Sequence, residues 1–214
     1  VVLENVHRDA TILYAANVFE TTANNIGLRR ATGEKVIIVQ DDMVITEDGW
    51  NKRLQKPFDR FDDVFAVTAR MSHNWIFNPN TQHFNMKENL DHVDHAGKTH
   101  GLTRDIFAVR CSVNRGPLMI DHSDLQKLNY LDEAFAPQDM DDHDLCYRAY
   151  KELNKIVGCY WIDYQSDDAW GGTRVSGQPA PWLFKAHHKN TKLFYERHKD
   201  LINNRRLIDN RELL

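Results

Sequence analysis

The chain has 214 residues, 42% hydrophobic and 27% charged, which excludes a disordered, collagen-like or disulfide-stapled chain. Its 27 Lys and Arg against 31 Asp and Glu leave a net charge of −4, with no basic excess to mark a nucleic-acid binder. Cys111, Cys146 and Cys159 show no CxxC spacing and read as free thiols of a reducing, cytoplasmic setting, and no apolar run is long enough for a transmembrane segment.

In chain order, Val1-Val2-Leu3 reads as a short buried strand ending at Glu4-Asn5, and residues 11–16 as a second strand. Residues 22–32 read as a helix closed by Gly33. Val36-Ile37-Ile38-Val39 is β-branched without a polar break, the mark of a central strand covered on both faces, and it stops at Gln40-Asp41-Asp42. A helix over 46–61 with Thr46 as N-cap follows, then a strand over 64–69. Residues 72–100, rich in Asn, His and Asp without a clear period, read as a long irregular excursion. Strand pieces at 107–113 and 118–120 flank Asn114-Arg115-Gly116-Pro117. A short helix over 123–129 comes next, and then a stronger one over 141–154, where Leu145, Ala149 and Leu153 share a face. A strand over 156–162, a Gly/Pro/Ser-rich loop over 165–181 and an amphipathic helix over 191–207 complete the chain. The alternation of strands and helices predicts one α/β domain over 1–214 with a mainly parallel sheet.

Four groups of residues are candidates for chemistry. Asp41 and Asp42 end a buried strand, where ligands bind in open α/β sheets; one carboxylate there suits Mg²⁺ or Mn²⁺ while the other takes a ribose hydroxyl. A solvated turn fits the same residues. Asp139, Asp141, Asp142 and Asp144 lie within six residues and repel one another unless a helix N-terminus, Arg148 or a metal relieves them. Crowding that raises a carboxyl pKa suits a general base, and a heavily capped helix start is the plain alternative. His92, His95 and His100 read as scattered surface histidines, whereas the pair His187-His188 follows the Gly/Pro loop. Trp170-Gly171-Gly172, with Arg174 close by, fits either an anion-binding backbone or a loop anchored by its Trp.

Taken in order, these pieces resemble the inverting glycosyltransferases of the GT-A fold, family 2. Glu4 matches the acid that ends the family's second strand, near the nucleotide base. Asn25-Ile26-Gly27 and Ala31-Thr32-Gly33-Glu34 resemble the run into the metal-binding strand, and Gln40-Asp41-Asp42 stands where the family carries D-x-D. Leu131-Asp132-Glu133-Ala134-Phe135 and Asp141-Asp142-His143-Asp144-Leu145-Cys146-Tyr147-Arg148 resemble "F-D-E-x-F" and "E-D-x-D-L-x-x-R". The family's first strand and helix have no counterpart before Val1, so the chain reads as a fragment or as a variant with that edge filled otherwise.

The resemblance implies an α/β/α sandwich, a nucleotide-diphosphate sugar donor, a hydroxyl acceptor such as a carbohydrate, and Mn²⁺ or Mg²⁺. It implies Asp142 as general base with Asp141 as runner-up, and Asp42 as metal ligand with His187 or His188 completing the shell. Glu4, Asn25, Asp41, Arg115 and Arg174 are then the expected donor contacts. A catalytically silent nucleotide-sugar-binding module of the same fold is the alternative, favoured by Gln40 and the missing first strand.

Overall fold

The computed structural model describes residues 10–16, 18–41, 43–81, 83–91, 102–166, 174–175, 178–179 and 181–213. Helix α1 (Glu20–Arg30) leads to β1 (Lys35–Ile38), β2 (Met43–Ile45), α2 (Trp50–Arg60) and β3 (Val64–Thr68). Then come β4 (Met71–Asn78), β5 (His83–Asp91), β6 (Ile106–Arg110), β7 (Ser112–Asn114), β8 (Leu118–Asp121) and α3 (His122–Lys127). After a turn of 3-10 helix (Glu133–Phe135) the chain forms α4 (Asp141–Leu153), β9 (Ile156–Cys159), β10 (Tyr164–Ser166), β11 (Arg174–Val175) and β12 (Gln178–Pro179). It closes with α5 (Pro181–Asn204) and β13 (Asp209–Glu212).

The main sheet has the order β1-β8-β3-β9-β6-β13. It is mixed, which corrects the expectation of a mainly parallel sheet: β3 and β9 run parallel, and the other four pairings are antiparallel. Parallel neighbours need a long crossover, usually a helix. Helix α4 delivers β9 that way, whereas β6 and β8 arrive from a hairpin and a tight turn. Strands alternate their side chains between two apolar layers. On β8, Leu118 and Ile120 face the layer formed with α1, α3, α4 and α5, while Met119 faces Leu54 of α2 on the other side. Helices therefore cover both faces, as an α/β sandwich requires. Strand β1 is an edge among the described residues, and its burial alternates instead of being complete.

The segment 72–100 departs most from expectation. Its first part is a long hairpin, β4 with β5, in register Trp75↔Met86 and Phe77↔Phe84, and β7 pairs on the other side of β4. Polar residues hid this strand: Ser72, His73 and Asn74 are all buried. Ser72 Oγ donates to the Ala108 carbonyl at 2.8 Å, and Asn74 Nδ2 donates to Leu207 O at 2.9 Å while its Oδ1 accepts from Cys111 N. A polar side chain enters a core when it finds such partners. Residues 11–16 form no strand, and α5 starts ten residues before the helix read from the sequence. Its buried stripe Leu183, Ala186, Asn190, Phe194, His198 and Ile202 keeps near-helical spacing throughout. Val1–Leu3, His92, His95, His100 and Trp170 lie outside the described residues.

Candidate active site

The acid cluster forms the first turn of α4. Its approach is unusual: Asp139 and Met140 are successive residues with φ of 81° and 65°, a left-handed backbone unfavourable for side chains bearing a Cβ. Buried Asn190 of α5 braces this bend by donating to the carbonyls of Phe135, Gln138 and Asp139. Met140 offers no capping side chain, so the acids take over. Asp141 Oδ1 accepts from the Asp142 N–H at 3.0 Å, and Asp142 Oδ1 accepts from the His143 N–H at 2.9 Å. The positive end of the helix thus relieves part of the crowding.

An arginine relieves the rest. The buried Arg115 guanidinium donates to Asp141 through Nη2, lies 3.5 Å from Asp142 through Nε, and pairs with Glu20 through Nη1 at 3.3 Å. Its backbone N–H also donates to Asp142 Oδ2 at 3.1 Å. Glu20 in turn accepts from the Gln40 amide at 3.1 Å, which ties the end of β1 to the cluster. Arg115, one of the expected donor contacts, is met within the fold by three carboxylates. Gly116 makes this approach possible, with φ of 113° and no room for a Cβ, which would fall 2.2 Å from Met43 and 2.8 Å from Gln40.

The pKa values of the two neighbouring acids are shifted in opposite directions. Burial pushes both carboxyls up. At Asp142 the His143 and Arg115 charges and two backbone N–H groups outweigh burial and hold the pKa at about 2. At Asp141 burial wins over Arg115, so its pKa is raised. Asp144 faces elsewhere: Arg148 donates to it at 2.6 Å and His198 lies 2.8 Å away, joining α4 to α5. Arg148 also holds the Leu128 and Tyr130 carbonyls, so its part in steadying the cluster runs through Asp144.

Asn25 is fully occupied within the fold. Its amide donates to Leu131 O and Glu133 Oε1 at 2.8 and 3.0 Å, and its carbonyl accepts from Leu131 N, which joins α1 to the turn before α4. Asp41 is exposed in the turn after β1. Glu4, Asp42 and the side chain of Arg174 lie outside what is described.

Beside the cluster opens a cleft of ≈ 1020 Å³ between the β4–β5 hairpin and α5. Met140 forms part of its lining, so the cleft begins one residue from Asp141 and two from Asp142. Trp75, Phe77 and Phe84 of the hairpin face Tyr195 of α5, and Phe77 stacks on Tyr195 with ring centroids 4.2 Å apart. His187 and His188 stand in the same lining. His187 Nδ1 bonds the Asp139 carboxylate, which raises the imidazole pKa. Among the described residues no three His, Cys, Asp or Glu side chains gather as metal ligands would. No described helix is long and apolar enough to cross a membrane, and Cys111, Cys146 and Cys159 are buried and form no disulfide among the described residues. The sequence foresaw the acid cluster; it missed Glu20 and the aromatic cleft, whose hairpin lacks an apolar period.

The family model for Glycosyl transferase family 2 matches residues 9–116, which is 108 of 214 residues. The match runs from the approach to α1 as far as the Arg115-Gly116 corner, so it includes the strand-end residues Gln40 and Asp41 and the arginine that clasps the acids. A comparison with curated proteins returns no match. Glycosyl transfer from a nucleotide sugar to an acceptor is the chemistry of that family, and the chain belongs to glycosyltransferase family 2.

Proposed function

We propose that this domain transfers a sugar from a nucleotide-diphosphate donor to an acceptor hydroxyl with inversion, and that a divalent metal assists. The observation that carries the reading is Asp142, a carboxylate held well below the usual carboxylate range at a helix start, two residues along the chain from Met140, which lines an open cleft. The acceptor oxygen attacks the anomeric carbon, and the bond to the diphosphate breaks with its electron pair leaving on the diphosphate. The acceptor proton passes to Asp142. A single displacement of this kind inverts the anomeric centre.

Arg115 holds Asp142 in position and is not itself a phosphate ligand in this reading. Asp141, with the raised pKa, shares the guanidinium and sets the local charge. The metal expectation rests on Asp42, with exposed Asp41 a hard oxygen donor suited to Mn²⁺ or Mg²⁺. His187 retains Nε2 for a metal while Asp139 orients its ring from behind, an arrangement common among metal-binding histidines. A bound ion would stabilise charge on the departing diphosphate.

The low pKa and tight clasp of Asp142 favour a second reading, a module that binds nucleotide sugars without turnover. Turnover of nucleotide sugars with and without acceptors separates the two. In the transferase reading, Asp142→Asn lowers kcat by roughly 10²–10⁴-fold with donor affinity little changed, and Asp141→Asn is milder. Retained turnover in the Asp142 variant rejects it as the base. Binding of donor by the native chain with no transfer establishes the silent module.

A further inference from the structure

The cleft between the β4–β5 hairpin and α5 combines two kinds of surface. One is aromatic: Phe77 and Phe84 on the hairpin, and Tyr195 on the helix, are half-buried and line one space. Phe77 and Phe84 pack against Tyr195, and the part of this aromatic cluster left open to the cleft suits the C–H face of a pyranose, whose hydroxyls then point to polar groups at the edges. The other surface is cationic. Lys87 projects from β5, and Lys192 and Lys199 stand two turns apart along α5. Among the described residues of the lining only Glu196 opposes them with a negative charge, and it lies 3.9 Å from Lys192. Among the described residues Lys87 and Lys199 have no carboxylate partner. His187 is already matched by Asp139.

This balance runs against the rest of the molecule. The chain carries a net charge of −4, yet the cleft gathers three lysines around one glutamate. Unpaired lysines flanking an aromatic wall are complementary to a ligand with an apolar ring face and an anionic substituent. An amine contributes a point charge and three donors without demanding a planar partner, so carboxylate and phosphate oxygens both satisfy it.

We propose that this cleft is the acceptor site and that it selects an anionic saccharide, a sugar carrying a carboxylate or a phosphate. The assignment rests on the transferase reading for the word acceptor, and on the cleft alone for the preference for an acidic sugar. Met140 joins the two regions: it lines the cleft and directly precedes the acid turn. A ring stacked near Tyr195 and held by Lys87 and Lys199 lies on the same side of α5 as His188.

Calorimetry on the intact chain tests this with four probes: methyl glucuronide, glucose-6-phosphate, methyl glucoside and inorganic phosphate. Both charged sugars should bind about tenfold more tightly than methyl glucoside or phosphate, the scale of one or two charge-assisted contacts. The tighter of the two charged sugars names the source of the anion. The double variant Lys87→Gln/Lys199→Gln should bring the charged sugars down to the neutral one and leave methyl glucoside unchanged. Equal binding of neutral and charged sugars overturns the proposal. So does a preference that survives the double variant, binding of phosphate as tight as that of the charged sugars, or no binding of any sugar. These measurements contain no donor. Acidic sugars that bind in a chain that never turns over a nucleotide sugar would break the transferase reading and leave the cleft assignment standing; transfer to neutral acceptors alone would do the reverse.

Discussion

The acid turn of α4 and the cleft beside it both carry charged side chains and end in opposite conditions. In the acid turn every charge is answered within the fold: Arg115 meets Glu20, Asp141 and Asp142, and Asp144 meets Arg148 and His198. In the cleft, Lys87 and Lys199 face solvent without a described partner. Burial explains the contrast. Charges taken out of water cost several kcal/mol each unless paired, so a buried cluster must be closed on itself. Exposed charges carry no such penalty and remain available to a ligand. The first region holds chemistry in place and the second leaves affinity unspent.

The sharpest way to break this comparison is to open the closed region. Arg115→Ala leaves three carboxylates facing one another, two of them buried, and should destabilise the fold by about 3–5 kcal/mol, read by urea denaturation. A loss below about 1 kcal/mol would show that water already reaches the cluster. Next in size, Gly116→Ala places a methyl group against Met43 and Gln40 at a left-handed backbone position. A cost of about 1–3 kcal/mol is expected, together with a changed donor affinity as the Arg115 corner moves. Native stability with native affinity would mean that the corner relaxes without consequence.

Acid titration reads the same pairing more gently. The folded pKa of Asp142 is about 2, below the ordinary value of 3.8. A depressed carboxyl stabilises the folded state above its unfolded pKa, and that contribution is lost as pH falls through the folded value. Unfolding free energies of native chain and Asp142→Asn, read by urea denaturation, should therefore differ most above pH 4 and converge towards pH 2, by about 2 kcal/mol in all. Asp141 opposes this: its raised pKa means that protonation on acidification relieves a buried charge, so Asp141→Asn should lose less stability or gain some. A constant gap between native chain and the Asp142 variant across that range would remove the ion pair from the account.

The smallest effect belongs to the open region. Lys87→Gln/Lys199→Gln should change stability by no more than about 0.5 kcal/mol, since neither lysine has a partner to lose among the described residues. A larger loss would show that these lysines serve the fold and not a ligand.

Much of the helical and acidic framework was legible in the sequence. The four-residue recurrence of Leu145, Ala149 and Leu153 placed α4 to within a residue, because one helical face must be apolar to pack on the sheet. The apolar runs at β1 and β3 announced strands, although β1, read as central, lies at an edge among the described residues. The pattern around Asp141-Asp142 pointed to a charged site needing relief. Beyond that, long-range pairing decided. Strand direction depends on how connections return, which a run of β-branched residues does not encode, so the sheet proved mixed. The β4 strand carries Ser72, His73 and Asn74 into the core, and hydrogen bonds to residues as distant as Leu207 are what admit Ser72 and Asn74. The surroundings of Arg115 were equally hidden: only the fold brings Glu20, 95 positions earlier, and the acids of α4 around it. Local periodicity is written in neighbouring residues, but which charges meet, and which are left open, depends on contacts between segments far apart in the chain.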